Sequence, residues 1–157
     1  MKIRTDFVSN SSSSSFVLVG KIYSYDAIVE YLEKNFPDIV DEINRENSKN
    51  GYDTSYETIG DVIDNEGIHA VIDILTTKFN ANLKYEFEED DYETYNICLG
   101  IDPKEMKDNE TLGEFKAKVN AELDKLNIPY SEDNSEYVGF VYGGSDASGS
   151  SWFYSRG

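Results

Sequence analysis

Between Phe79 and Leu83 the spacing of apolar residues changes, and this change constrains the fold more than any other feature of the chain. Upstream, apolar residues recur at the intervals that one face of a helix requires: Ile28, Tyr31, Leu32 and Phe36, then Ile39, Val40 and Ile43, then Ile59, Val62 and Ile63, then Ile68, Val71, Ile72, Leu75 and Phe79. Downstream, Leu83, Tyr85 and Phe87 alternate with Lys84, Glu86 and Glu88, and Ile97, Leu99 and Ile101 form a second alternating set. Alternation of this kind is the mark of half-buried strands. Helices followed by strands predict an α+β domain, with several helices packed on a small, mainly antiparallel sheet.

Local signals divide the helical stretch. Ser24 suits an N-cap, Pro37 suits the first turn of a new helix, and Glu66-Gly67 interrupts the third periodic run. Residues 44–55 turn polar and read as an exposed loop around Asn47-Ser48-Lys49-Asn50-Gly51. The clearest helix is Thr111 to Leu126: Thr111 and Glu114 have capping-box spacing, Leu112, Phe115, Val119, Leu123 and Leu126 share a stripe, and Glu114 and Lys118 stand four apart. Pro129 is expected to end it. Tyr137 to Tyr142 and Trp152 to Tyr154 predict two more strands, with Gly143 to Gly149 as the turn between them.

The chain has 157 residues, with 31 Asp and Glu against 14 Lys and Arg, a formal charge of −17. A phosphate backbone selects Lys and Arg, so direct nucleic-acid binding is excluded as an expectation. The helix-turn-helix outline around Pro37 lacks basic residues and reads as core packing. No apolar run approaches the ~20 residues that a bilayer span needs, and Met1 to Asp6 has no apolar signal-peptide core, which predicts a soluble cytoplasmic protein that does not engage membranes. A single domain spanning 1–157 is expected, with 1–15 as a candidate flexible or loosely attached segment. Cys98 is the one cysteine, so no intramolecular disulfide can form.

The serine run Ser11 to Ser15 stands between Asp6-Phe7-Val8 and Phe16-Val17-Leu18-Val19. It fits either a flexible linker or an ordered connection between strand segments. The stretch from Met1 through Phe16-Val17 resembles the N-terminus of uncharacterised proteins of Gram-positive bacteria and their phages, in which Phe-Val-Ser/Thr-Asn precedes a serine run and then Phe. A looser likeness covers Gly100 to Phe115. The family carries no assigned activity, so the resemblance implies an origin and transfers no functional residue.

The residues that usually carry chemistry are sparse. His69 falls beside Ile68 on a helical pattern and reads as a structural or partly exposed histidine. Cys98 alternates with Ile97 and Leu99 and has no base nearby in sequence. Gly143-Gly144-Ser145 lacks the Lys-Ser/Thr of a P-loop and reads as a hairpin connection. One Cys and one His cannot fill a structural zinc site, and no EF-hand order is present. No catalytic residue, metal ligand or cofactor is assigned from the sequence.

Carboxylates are plentiful. Glu86, Glu88, Glu89, Asp90, Asp91 and Glu93 form the densest run, with Tyr92 and Tyr95 as aromatic neighbours. These eight positions are the candidate partner-binding residues, because acids steer toward basic surfaces and aromatics anchor interfaces. The expected function is a non-enzymatic, acidic protein-binding domain that occupies a basic, nucleic-acid-binding surface of a host protein. Two alternatives stand beside it: a small carboxylate- or metal-dependent hydrolase, and a mobile-element protein whose acidity serves only solubility.

Overall fold

A computed structural model describes residues 14–89, 93–129, 131–132, 134–145 and 151–156. The chain is α+β, and its fold divides into two compact units. Residues 26–81 form a helical unit, and residues 82–157 with 1–25 form a sheet unit. In chain order the helices are inserted between the first two strands.

The sheet unit holds β1 (Ser14–Ser24), β2 (Lys84–Glu89), β3 (Thr94–Ile101), β4 (Gly139–Ser145) and β5 (Ser151–Arg156). They run β2-β3-β1-β4-β5 across one curled sheet, and every neighbouring pair is antiparallel. Ser14 and Ser15 pair with Ser145 and Gly144, so the end of the serine run belongs to the central strand. The rest of that run lies outside the described residues. Gly143 and Gly144 are strand residues of β4, not the turn that the sequence suggested. The ring of Phe16 fills the space above Gly143, and the opposite Phe153 meets it edge-on at 5.5 Å, so the missing side chain is replaced by cross-strand aromatic packing.

Alternation gives the sheet two buried faces. Val19, Tyr23, Ile97, Leu99 and Ile101 occupy one, where the helix Leu112–Leu126 packs with Phe115, Val119, Leu123 and Leu126. Phe16, Leu18, Cys98 and Val141 cluster on the other, with Ile22 and Phe153 half-buried against them. Curling turns this second face inward. Gly20 and Gly100 face each other at the bend: a Cβ on Gly20 would lie 2.0 Å from the Leu99 carbonyl oxygen, and one on Gly100 would lie 2.4 Å from that of Val19. Two strands can approach this closely only where neither carries a side chain.

Beyond Gly20, β1 has lost its β4 partner, and the segment at Asn134–Ser135 replaces it. The Ser24 amide donates to Asn134 Oδ1 at 2.9 Å, the Ile22 amide to Ser135 Oγ at 3.0 Å, and the Ser135 amide to the Ile22 carbonyl at 2.8 Å. Backbone groups left over from the ladder are thereby satisfied.

The helical unit contains α1 (Tyr25–Asn35, of which Tyr25 belongs to the sheet unit), α2 (Ile39–Lys49), α3 (Ile59–Glu66) and α4 (Ile68–Lys78); the sheet-packing helix is α5. Gly67 separates α3 from α4 with a φ of 86°, a backbone geometry that glycine adopts without strain. The core contains Ile28, Leu32, Ile39, Val40, Ile43, Ile59, Val62, Val71, Ile72 and Leu75, all buried as the helical spacing requires. Phe36 stacks edge-on against Tyr31 and Phe79, at 5.7 and 5.4 Å.

Candidate functional site

The acidic run does not form one surface. Glu86 stands opposite Cys98 on the inward face of the sheet and is 4% exposed. This corrects the expectation of a solvent-facing acid there: position 86 falls on the strand parity that curling buries. Burial, and after it the Glu86 carboxylate opposite, push the Cys98 thiol well above its ordinary pKa, which disfavours the reactive thiolate.

Glu88 is half-buried and engaged within the sheet. One carboxylate oxygen accepts from Asn96 Nδ2, and the other accepts from the Phe153 amide of β5 at 2.7 Å. Ser151 Oγ completes the link between the two edge strands, donating to the Phe87 carbonyl at 3.0 Å and accepting from the Glu89 amide at 2.9 Å. The clasp joins β2 to β5, between which the described residues form no ladder, and it covers edges that would otherwise template pairing with other chains. A register shift between Glu88 and Glu89 turns the strand outward at that point.

Glu89 and Glu93 are exposed, as is Tyr95, which has 46% of its surface accessible. Thr94 Oγ1 donates to Glu89 Oε2 at 3.4 Å. Asp90, Asp91 and Tyr92 lie outside the described residues. Of the eight candidate positions, two are therefore committed to the interior or its closure, and three sit on the surface.

A denser negative surface belongs to the helical unit. Its 56 residues carry 13 Asp and Glu against four Lys and Arg, a net −9, and ten of those acids are exposed. The remaining 101 residues carry a net −8, so acidity per residue is about twice as high in the helices. The three less exposed acids have structural partners. Asp61 closes the capping box of α3, accepting from the Thr58 amide at 3.2 Å while Thr58 Oγ1 accepts from the Asp61 amide at 3.0 Å. Glu42 pairs with Lys78 at 3.2 Å, and Glu66 accepts from Asn47 Nδ2 at 2.8 Å.

Asn47 and Asn44 also hold the loop that follows α2. Asn44 brackets Tyr56, donating to its carbonyl at 2.9 Å and accepting from its amide at 3.1 Å, and Thr54 donates to Asn44 Oδ1 at 2.9 Å. Burial and a hydrogen bond to Glu66 push the Tyr56 phenol upward. The acidic helices are thus a fixed platform and not a solvated tail.

His69 is exposed on α4, and among the described residues no group of three or more His, Cys, Asp or Glu is arranged to hold a metal ion. Among the same residues no helix is long and apolar enough to cross a membrane. No protein-family model matches the chain, and neither a curated protein nor a solved structure matches it.

Proposed function

We propose that this chain is a non-enzymatic, acidic protein-binding domain that occupies a basic, nucleic-acid-binding surface of a partner protein. The observation that carries the reading is the helical unit's net −9 with ten exposed carboxylates, seven of them on its packed helices. Carboxylates carried on a packed backbone present negative charge without the cost of ordering a chain segment at binding. The exposed Glu89, Glu93 and Tyr95 of the sheet unit offer a smaller, separate contact. In this reading the chain is of Gram-positive or phage origin and acts in the cytoplasm.

The test is capture from a Gram-positive lysate on the immobilised full chain, followed by competition. A partner bound at low salt is expected to be released both by raised salt and by duplex DNA. Retention in the presence of excess DNA would remove the nucleic-acid-surface reading.

A further inference from the structure

We infer that a cleft in the helical unit, between Glu33 and Glu57, is a receptor for one arginine side chain of a protein partner; this deepens the reading above and rests on it. The cleft has a volume of about 340 Å³ and is lined by Glu33, Pro37, Val40, Glu57, Thr58 and Ile59. That volume is at the low end of the roughly 300–1,000 Å³ typical of ligand clefts, and it suits a single side chain. Pro37, Val40 and Ile59 supply apolar wall for an aliphatic stem, while the carboxylates of Glu33 and Glu57 are exposed and bring two negative charges.

A second hollow of the helical unit shows how this chain neutralises such acids internally. It is lined by Glu42, Asp73, Ile74, Thr77 and Lys78, and Lys78 Nζ lies 3.2 Å from Glu42 and 3.9 Å from Asp38. That hollow holds its own cation. Among the described residues, the lining of the Glu33–Glu57 cleft has two acids and no Lys or Arg. The positive end of α3 opens nearby, but the Asp61 carboxylate of the capping box offsets it. Arginine fits better than lysine, because a guanidinium presents five donors in one plane and is less strongly hydrated than an ammonium.

The experiment is an amide NMR titration of the full chain with N-acetyl-arginine-N-methylamide, with the lysine and norleucine analogues run in parallel. Saturable shifts are expected at Val40, Thr58 and Ile59, with arginine tighter than lysine and norleucine without effect. The E33Q/E57Q variant is expected to weaken arginine binding by about tenfold or more, as loss of charge-assisted hydrogen bonds implies. E46Q/D73N removes the same charge outside the cleft and is expected to leave affinity within about twofold. Equal weakening in both variants, or shifts spread evenly over the acidic helices, would overturn the cleft and leave the acidic-surface reading standing. Absence of any saturable shift would overturn the cleft as well, and salt- and DNA-sensitive capture then decides the broader reading separately.

Discussion

Cys98 and Gly20 show how single positions set the limits of the sheet. Cys98 is buried between the strands, and its thiol is pushed upward first by burial and then by the Glu86 charge. A thiol reagent at pH 8 should leave it untouched in the native protein and titrate one thiol per chain once the protein is denatured. Rapid native reaction would mean that the inward face is open. Gly20 tolerates no Cβ because the Leu99 carbonyl occupies that space. Gly20→Ala should force the central strand away from β3 and cost about 3 kcal/mol, measured by chemical denaturation. A change close to zero would show that the curl does not depend on this contact. Cys98 was legible as a strand residue out of step with Ile97 and Leu99, whereas the demand for glycine at position 20 was not, because the close approach depends on Gly100, about 80 residues away in sequence.

Elements were legible where the signal was local and hidden where it came from packing. The Thr111–Glu114 capping box is present, with the Glu114 amide donating to Thr111 Oγ1 at 3.1 Å and the Thr111 amide to Glu114 at 2.9 Å. The helix ends at Asn127, whose φ of 54° and ψ of 36° break the helical path before Pro129 is reached. Lys118 does not take the expected Glu114 partner; it pairs with Glu110 at 2.9 Å, across the N-terminus of α5. Hydrogen bonds to Lys118 hold the Glu110 carboxyl below its usual range, and bonds to the Thr111 amide and hydroxyl do the same for Glu114. A lowered folded pKa contributes stability above the unfolded pKa, near pH 4.3, and loses it as pH falls through the folded value. Amide exchange in the first turn of α5 should therefore accelerate as pH drops from about 5 to 3, relative to exchange in α4; parallel behaviour would contradict the assignment.

The loop after α2 shows the opposite case. Residues 44–49, which read as loop from their polar composition, are the last turns of α2, and the largely exposed segment after them is tied back by Asn44 and Asn47 through Thr54, Tyr56 and Glu66. Their three-residue spacing on one face of α2 was the available signal, but asparagine in a polar stretch carries no direction until the partner is known. Asn47→Ala should cost about 1–2 kcal/mol and sensitise residues 50–57 to limited proteolysis. Unchanged cleavage would mean that the loop is held by other contacts.

At the scale of the whole molecule, net charge was fully legible and its distribution was not. The run from Glu86 to Glu93 drew attention because it is contiguous, but strand parity buries Glu86 and edge closure engages Glu88. The larger concentration is dispersed in sequence, one acid every few residues through α1 to α4, and becomes a surface only when the helices pack their apolar stripes inward. Local runs and folded patches are different quantities, and recognition responds to the second.

The most direct test of the account compares the affinity of the DNA-displaceable partner for the unaltered chain with that for two variants of equal charge change. One is D26N/E30Q, on the exposed face of α1, and the other is E89Q/E93Q, on the surface of the sheet unit. The account predicts that D26N/E30Q weakens binding severalfold and flattens its salt dependence, while E89Q/E93Q has the smaller effect. Equal affinities for all three proteins, with an unchanged salt slope, would contradict it.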